Sequence, residues 1–240
     1  MGTGRVRENG GMNRAAGSNR PTPGRPRTPR LGRPPLVDRQ SIVRAAIGVG
    51  FGAITMTAVA EHLGIKHSTL YRYFANRDEL ITAAVDLAVA EASWPEPEGD
   101  WRNVLNEHTW ATFRLLDANP GLATQIGSLR IDSAAYGAVS HRAVTALLDL
   151  GFGAEEAILA HDLVHEQVLM FFTAGQRQGD AVGDIERTAE LRRAMLEDAL
   201  PDVDPRLRDA LTHVVQGPPA DWFARKLAVI LDGIAAFAPS

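Results

Sequence analysis

From position 38 to the end of the chain, apolar residues recur at three- and four-residue spacing, and no stretch carries a strand pattern. Asp38 stands where a helix cap is wanted, and Ile42, Val43, Ala46 and Ile47 follow on one face. Gly48, Gly50 and Gly52 close that helix, with Phe51 and Ile54 turned inward. Thr55 then caps a short helix carrying Met56, Val59, Ala60 and Leu63. Gly64 supplies a left-handed turn and Ile65 an apolar plug. A third helix is expected from Lys66 to Phe74, with Leu70 and Phe74 four apart on its inner face. Asn76 and Glu79 have the spacing of a capping box for a fourth helix through Leu80, Ala84, Leu87 and Ala88.

"SWPEPEGD" (Ser93–Asp100) interrupts the helical pattern, and residues 94–240 read as further helices. The first carries Trp101, Val104, Leu105, His108, Thr112, Leu115 and Leu116 on one face and ends at Asn119-Pro120-Gly121. A short helix covers Leu122–Leu129, and a longer one runs from about Ser133 to Leu150. Glu155–Arg177 is apolar over more than one face, which calls for burial on two sides. Gly179–Asp184 reads as a loop, and one or two peripheral helices occupy about 185–215. Asp221–Phe237 places Phe223, Leu227, Ile230, Leu231 and Ile234 on one stripe.

Two short helices joined by a tight glycine turn make a helix-turn-helix. The outer side of the third helix holds Lys66, His67, Ser68, Thr69, Tyr71, Arg72 and Tyr73. Hydroxyls, ring edges and a guanidinium are the groups that reach bases and phosphates from a major groove. A plainly solvated helix face would not need two tyrosines beside an arginine. The segment therefore reads as a contact surface for double-stranded DNA.

Charge sharpens this picture. The net charge is −4 over 240 residues, but residues 1–35 carry +7, residues 36–93 carry −1 and the rest −10. A basic arm on an acidic body is the asymmetry expected when one end meets a polyanion. The arm is rich in Gly, Pro and Arg and contains Gly-Arg-Pro twice, around Arg25 and Arg33. Such a segment fits an A·T minor groove, although the Arg that precedes Gly in an AT-hook is missing from both copies. The plainer reading is a disordered tail. Arginine abundance by itself carries no weight, since 23 of the 25 basic residues are Arg, a bias that a GC-rich genome produces. With no cysteine, disulfides, thiol catalysis and thiolate metal sites are excluded. No apolar run approaches the roughly 20 residues of a membrane span, and no secretory h-region is present, so a cytoplasmic protein is expected. Nucleophile elbows and phosphate-binding loops of the Walker type are missing too, which argues against an enzyme.

"ITMTAVAEHLGIKHSTLYRYFANRDEL" (Ile54–Leu80) resembles the helix-turn-helix of the tetracycline-repressor (TetR) family. The resemblance rests on Thr-x-x-x-Val-Ala, the Leu-Gly-Ile turn and Thr-Leu-Tyr-x-Tyr-Phe, and covers about residues 38–85; "LLDLGFGAEEA" resembles a later helix junction of the family. Behind the basic tail (1–35) that composition marks off, it implies an all-α fold with a three-helix DNA-binding domain (36–93) and a larger helical domain for effector binding and dimerisation (94–240). It implies groove-facing roles for Thr57, His67, Ser68, Thr69, Tyr71 and Arg72, and phosphate-facing roles for Lys66, Tyr73 and Arg77. Family members often carry Ser where Lys66 stands; Lys cannot accept the helix N–H bonds, so that cap must be lost or replaced. The resemblance also implies a homodimer through helices at about 155–177 and 221–237, placing two reading heads about 34–36 Å apart on a palindromic operator.

Candidate ligand contacts in the body are His108, Trp110, His141, His161, His165 and Gln167. His161 and His165, four apart, form half of a possible metal site, but a third ligand would have to come from another helix. No cofactor or metal is expected on this basis. The tetracycline repressor holds a drug–magnesium chelate, and Ile126 stands at the approximate place of a metal-facing His. The expected function is a repressor released from its operator by a hydrophobic or aromatic small molecule. Two alternatives stay open: an architectural DNA-binding protein that uses its Gly-Arg-Pro tail, and a metal-responsive sensor.

Overall fold

The computed structural model describes residues 37–128, 132–176 and 204–239, with single helical positions 190, 194 and 198 between the last two segments. The basic tail with Arg25 and Arg33, together with Leu129, Arg177 and the Gly179–Asp184 loop, lies outside the described residues. All regular elements among the described residues are helices: α1 Arg39–Val49, α2 Met56–His62, α3 His67–Leu70, α4 Arg77–Glu91, α5 Trp101–Ala118, α6 Leu122–Gly127, α7 Ala134–Asp149, α8 Ala154–Gln176, α9 Pro205–Gln216 and α10 Pro219–Ile234.

Short polar side chains start most of these helices. Asp38 accepts from the Ser41 amide at 2.7 Å while Ser41 Oγ accepts from the Asp38 amide at 3.0 Å, a full capping box on α1. Thr55 Oγ1 accepts from the Ala58 amide at 3.0 Å, and Asp100 and Ser133 cap α5 and α7 in the same way. Asn76 accepts from the Glu79 amide at 2.9 Å, but Glu79 reaches back to the Ala75 amide, one residue beyond the expected partner. The box is thus displaced by one position at its acidic arm.

In the reading head, Ile42, Ala46, Phe51, Ile54, Val59, Leu70, Phe74 and Leu80 are buried together. α4 belongs to both halves. It packs on α1, to which the Arg39–Glu79 and Arg44–Glu91 pairs tie both of its ends, and on α7 of the body. The segment after it has no regular structure over residues 93–98 and bends at 99–100, and Trp94 Nε1 donates back to the Val89 carbonyl at 2.9 Å.

The body is built on α5, α7, α8 and α10, with α8 central. Phe113, Phe171, Phe172 and Phe223 form an aromatic cluster with centroids 4.9–5.5 Å apart, within the usual range for ring pairs. The inner stripe of α8 (Ala157, Ala160, Val164, Val168, Phe172) is buried. Its other face leaves Ile158 52%, Leu159 49% and Met170 53% exposed, and Val229 of α10 is 72% exposed. The two-sided apolar pattern of α8 therefore corresponds to one face in the core and one face uncovered in the single chain.

Candidate DNA-reading surface and ligand cavity

The turn between α2 and α3 is a Schellman motif. Gly64 has φ +64°, the Ile65 amide donates to the Ala60 carbonyl and the Gly64 amide to the Glu61 carbonyl, both at 3.0 Å. Only Gly adopts this φ without cost, and the result is a sharp reversal that stands α3 across the head. The regular part of α3 is shorter than the expected Lys66–Phe74. Four residues are α-helical, and Arg72 and Tyr73 then donate to the Thr69 and Leu70 carbonyls three residues back, a tighter winding. Lys66 occupies the cap position and makes no side-chain cap bond.

Leu70 and Phe74 anchor this segment in the core. Thr57, Lys66, His67, Ser68, Tyr71 and Arg72 are exposed, and Thr69 is half-buried. The His67 and Tyr71 rings meet edge to face at 5.0 Å, so each limits the other's rotamers on the exposed side. Two of the residues expected to face phosphates are engaged inside the head. Tyr73 Oη donates to the Val37 carbonyl at 2.7 Å, and Arg77 Nε donates to the Ile54 carbonyl at 2.7 Å. Arg39 escaped the sequence reading altogether. Its guanidinium donates to the Tyr73 carbonyl at 2.7 Å, pairs with Glu79 at 3.2 Å and lies over the Phe74 ring at 4.2 Å. It ties α1 to the end of the recognition segment and the start of α4, contacts too distant in sequence for spacing to reveal.

In the body, the structure separates the expected ligand contacts. His108, His161 and His165 come together. Trp94, His108, His161, His165 and Tyr136 form a continuous column of rings with successive centroids 5.6, 5.4, 5.3 and 5.6 Å apart. Burial drives all three histidines toward the neutral form, His108 down to about 3 and His165 to about 4, and mutual repulsion of charged rings adds to the effect for these two. Burial also raises the Tyr136 phenol. His161 Nδ1 lies 3.5 Å from Asp162, and its buried Nε2 has no protein partner. Trp110 packs instead against Phe113 and Phe223. Gln167 lines a separate groove beside Trp222 and Arg225, and His141 is exposed on α7. Among the described residues no set of three His, Asp or Glu side chains is placed to hold a metal ion.

One end of the ring column opens on a cavity of about 970 Å³, walled by Val85 of α4, Ile126 of α6, Tyr136 of α7 and His165, Leu169 and Met170 of α8. That volume lies at the upper end of the range for drug-sized ligands. Ile126, at the place where a metal-facing His was considered, gives the wall an apolar side chain. Beside Val85, Asp86 Oδ1 accepts from Ser133 Oγ at 2.6 Å and from the Ala135 amide at 3.2 Å. A carboxylate of α4 therefore holds the N-terminus of α7, where the helix dipole favours it. Gln125 Nε2 also donates to the Phe51 carbonyl at 3.1 Å, a second tie from cavity wall to reading head.

Residues 42–84 match the family model for bacterial regulatory proteins of the tetR family, and residues 94–238 match that for the tetracyclin repressor-like C-terminal domain. The class A tetracycline repressor from transposon 1721 of Escherichia coli is 29% identical over 204 residues, spanning 81% of this chain and 89% of the relative. The HTH-type transcriptional repressor DrrR1 of Streptomyces coeruleorubidus is 27% identical over 218 residues, 87% of this chain and 81% of the relative. Among solved structures, the TetR family protein ActR of Streptomyces coelicolor in complex with actinorhodin superposes with a TM-score of 0.65 at 25% identity, covering 86% of this chain and 98% of that one. The chain belongs to the TetR family, and it is a DNA-binding transcriptional regulator, not an enzyme.

Proposed function

We propose that the protein is a homodimeric repressor that reads a palindromic operator and leaves it when an apolar or aromatic small molecule fills the 970 Å³ cavity. The observation that carries this reading is the double duty of α4. Val85 walls the cavity, Asp86 holds α7, and the same helix packs on α1 of the reading head. A ligand that favours one position of α4 favours one position of the head, and it shifts the equilibrium only by its differential affinity for the two. The complex of ActR with actinorhodin supports a small-molecule effector for this chain.

In this reading Thr57, His67, Ser68, Thr69, Tyr71 and Arg72 face bases, and Lys66 faces a phosphate. Tyr73 acts by fixing the head, since its one hydroxyl donor is used on Val37, whereas Arg77 fixes the head through Nε and can still turn its terminal nitrogens to a phosphate. The dimer forms through the uncovered faces of α8 and α10. The test is fluorescence anisotropy of the full chain on DNA from upstream of its own gene, against a scrambled duplex, over a salt series. A specific-to-scrambled ratio of about 10³ or more supports a sequence-reading dimer. Equal binding that collapses with salt, and that is lost on deletion of residues 1–35, would replace it with the architectural reading.

A further inference from the structure

The cavity's polar wall has a property that fixes what its ligand must carry; the inference rests on the cavity being the effector site. Several side chains along this wall are already committed. Ser133 Oγ donates to Asp86 and Thr173 Oγ1 donates to the Leu169 carbonyl. Tyr136 Oη and His165 Nδ1 are bonded to one another at 3.3 Å. Between them a neutral phenol and a neutral imidazole hold two polar protons, and a single mutual hydrogen bond uses one. If the phenol donates to Nδ1, the imidazole keeps its Nε2–H. If Nδ1–H donates to the phenol oxygen, the phenol keeps its O–H. Whichever tautomer is present, one donor of the pair remains free. The outcome is the same whichever ring nitrogen carries the proton. The pair is also held in place: His165 stacks on His161 at 5.3 Å and 16°, and His161 in turn abuts His108. Elsewhere the wall is apolar at Val85, Ile126, Leu169 and Met170, while Thr124, Asp132 and Glu166 add polar groups, of which the carboxylates accept rather than donate.

We propose that Tyr136 and His165 form a neutral donor site for a carbonyl-type oxygen on an otherwise apolar, ring-shaped effector. A desolvated donor facing an apolar ligand is left unpaired, and that mismatch separates ligands with the oxygen from those without it. This pair does not recognise its ligand by charge, because burial keeps both groups neutral around pH 7.

Xanthone and xanthene test this. They share a three-ring frame and differ at the carbonyl. Binding to the full-length protein is followed by quenching of its tryptophan fluorescence. Xanthone is expected to bind about tenfold more tightly than xanthene, the effect of one hydrogen bond to a buried donor. Each single substitution leaves a donor behind, so the informative variant is Tyr136→Phe combined with His165→Phe. It keeps both rings and removes both polar groups. In that variant the ratio is expected to fall to about one, with xanthene binding unchanged or improved. Equal binding of the two probes by the wild type, or a ratio that survives in the double variant, overturns the donor site and leaves the cavity reading standing. Binding of neither probe to the wild type overturns the cavity reading and the donor site together. Urea denaturation of the double variant at pH 7.5 checks its fold, and Tyr136→Phe with His165→Leu repeats the test without the second ring.

Discussion

Tyr71 and Tyr73 stand two positions apart in one turn, yet one ring meets solvent and the other closes a hydrogen bond to Val37. Tyr71 is 50% exposed, and among the described residues its ring meets only that of His67, edge to face. Tyr71→Ala is therefore expected to weaken specific operator binding by about tenfold or more, in the range of a lost base contact, with little change in thermal stability. Anisotropy on operator and scrambled DNA, paired with a melting curve, reads both. Wild-type operator affinity would remove Tyr71 from the reading surface. The buried histidines make a second prediction at this scale. His108 and His165 have folded-state pKa values of about 3 and about 4, against about 6.5 in an unfolded chain. Between those values the unfolded chain binds more protons, so acid favours it. Stability is expected to fall as pH drops below about 6.5 and to go on falling toward pH 4. His108→Phe, with a ring of suitable size between Trp94 and His161, should narrow the difference between urea midpoints at pH 7.5 and pH 5. An unchanged difference would place the acid sensitivity elsewhere.

Among the four helices of the head, α3 is the one that starts without a side-chain cap. Lys66 gives it no cap, and what holds it is Leu70 and Phe74 in the core and Arg39 from α1. Lys66→Ser supplies the missing acceptor and removes a positive charge at once. The variant is expected to gain up to about 1 kcal/mol in stability and to lose about one unit from the salt slope of operator binding. An unchanged slope would mean that Lys66 meets no phosphate. The starts of α1, α2 and α4 and the turn after α2 are legible in the sequence because caps and glycine turns are local, with Asp38, Thr55, Gly64 and Asn76 each acting within a few residues, whereas the early end of α3 carries no such mark. The long apolar helices were legible for the same reason, through their period. What was not legible is what joins elements. Arg39 to Tyr73, Asp86 to α7 and Gln125 to Phe51 link residues 34 to 74 positions apart, and no spacing rule reports such pairs. The ligand contacts show the same limit. A histidine on an apolar helix is visible in the sequence, but which of several meet depends on how α5, α7 and α8 are set together. His108, His161 and His165 converge, while Trp110, His141 and Gln167 do not join them.

For the whole molecule, the uncovered apolar face of α8 and the coupling through α4 make separate demands. Leu159 and Leu163 are half-exposed leucines on that face, an arrangement that a lone soluble chain seldom keeps. Leu159→Asp places a charge where a partner helix would pack. It is expected to give monomers in sedimentation analysis and to reduce operator affinity by orders of magnitude, since each half-site then binds alone. Dimers of unchanged stability would put the interface elsewhere. Coupling turns on Asp86. Its carboxylate is the polar tie between α4, which carries the reading head, and the start of α7, which walls the cavity. Without that tie α7 keeps its Ser133 cap, and the head keeps its own core, so both halves should stay folded. What is lost is the obligation of the two to move together. Asp86→Ala is thus expected to bind operator within a few-fold of wild type in the absence of effector, and to bind an effector found by release screening with near-normal affinity. The factor by which that effector lowers operator affinity should shrink, by roughly fivefold or more if the tie carries most of a coupling of about 1–3 kcal/mol. Measuring operator binding with and without saturating effector gives that factor directly, and effector binding with and without operator must return the same number. A variant that keeps the full factor would shift the coupling to Val85 and the apolar wall, or to the Gln125–Phe51 bond from α6 to the head.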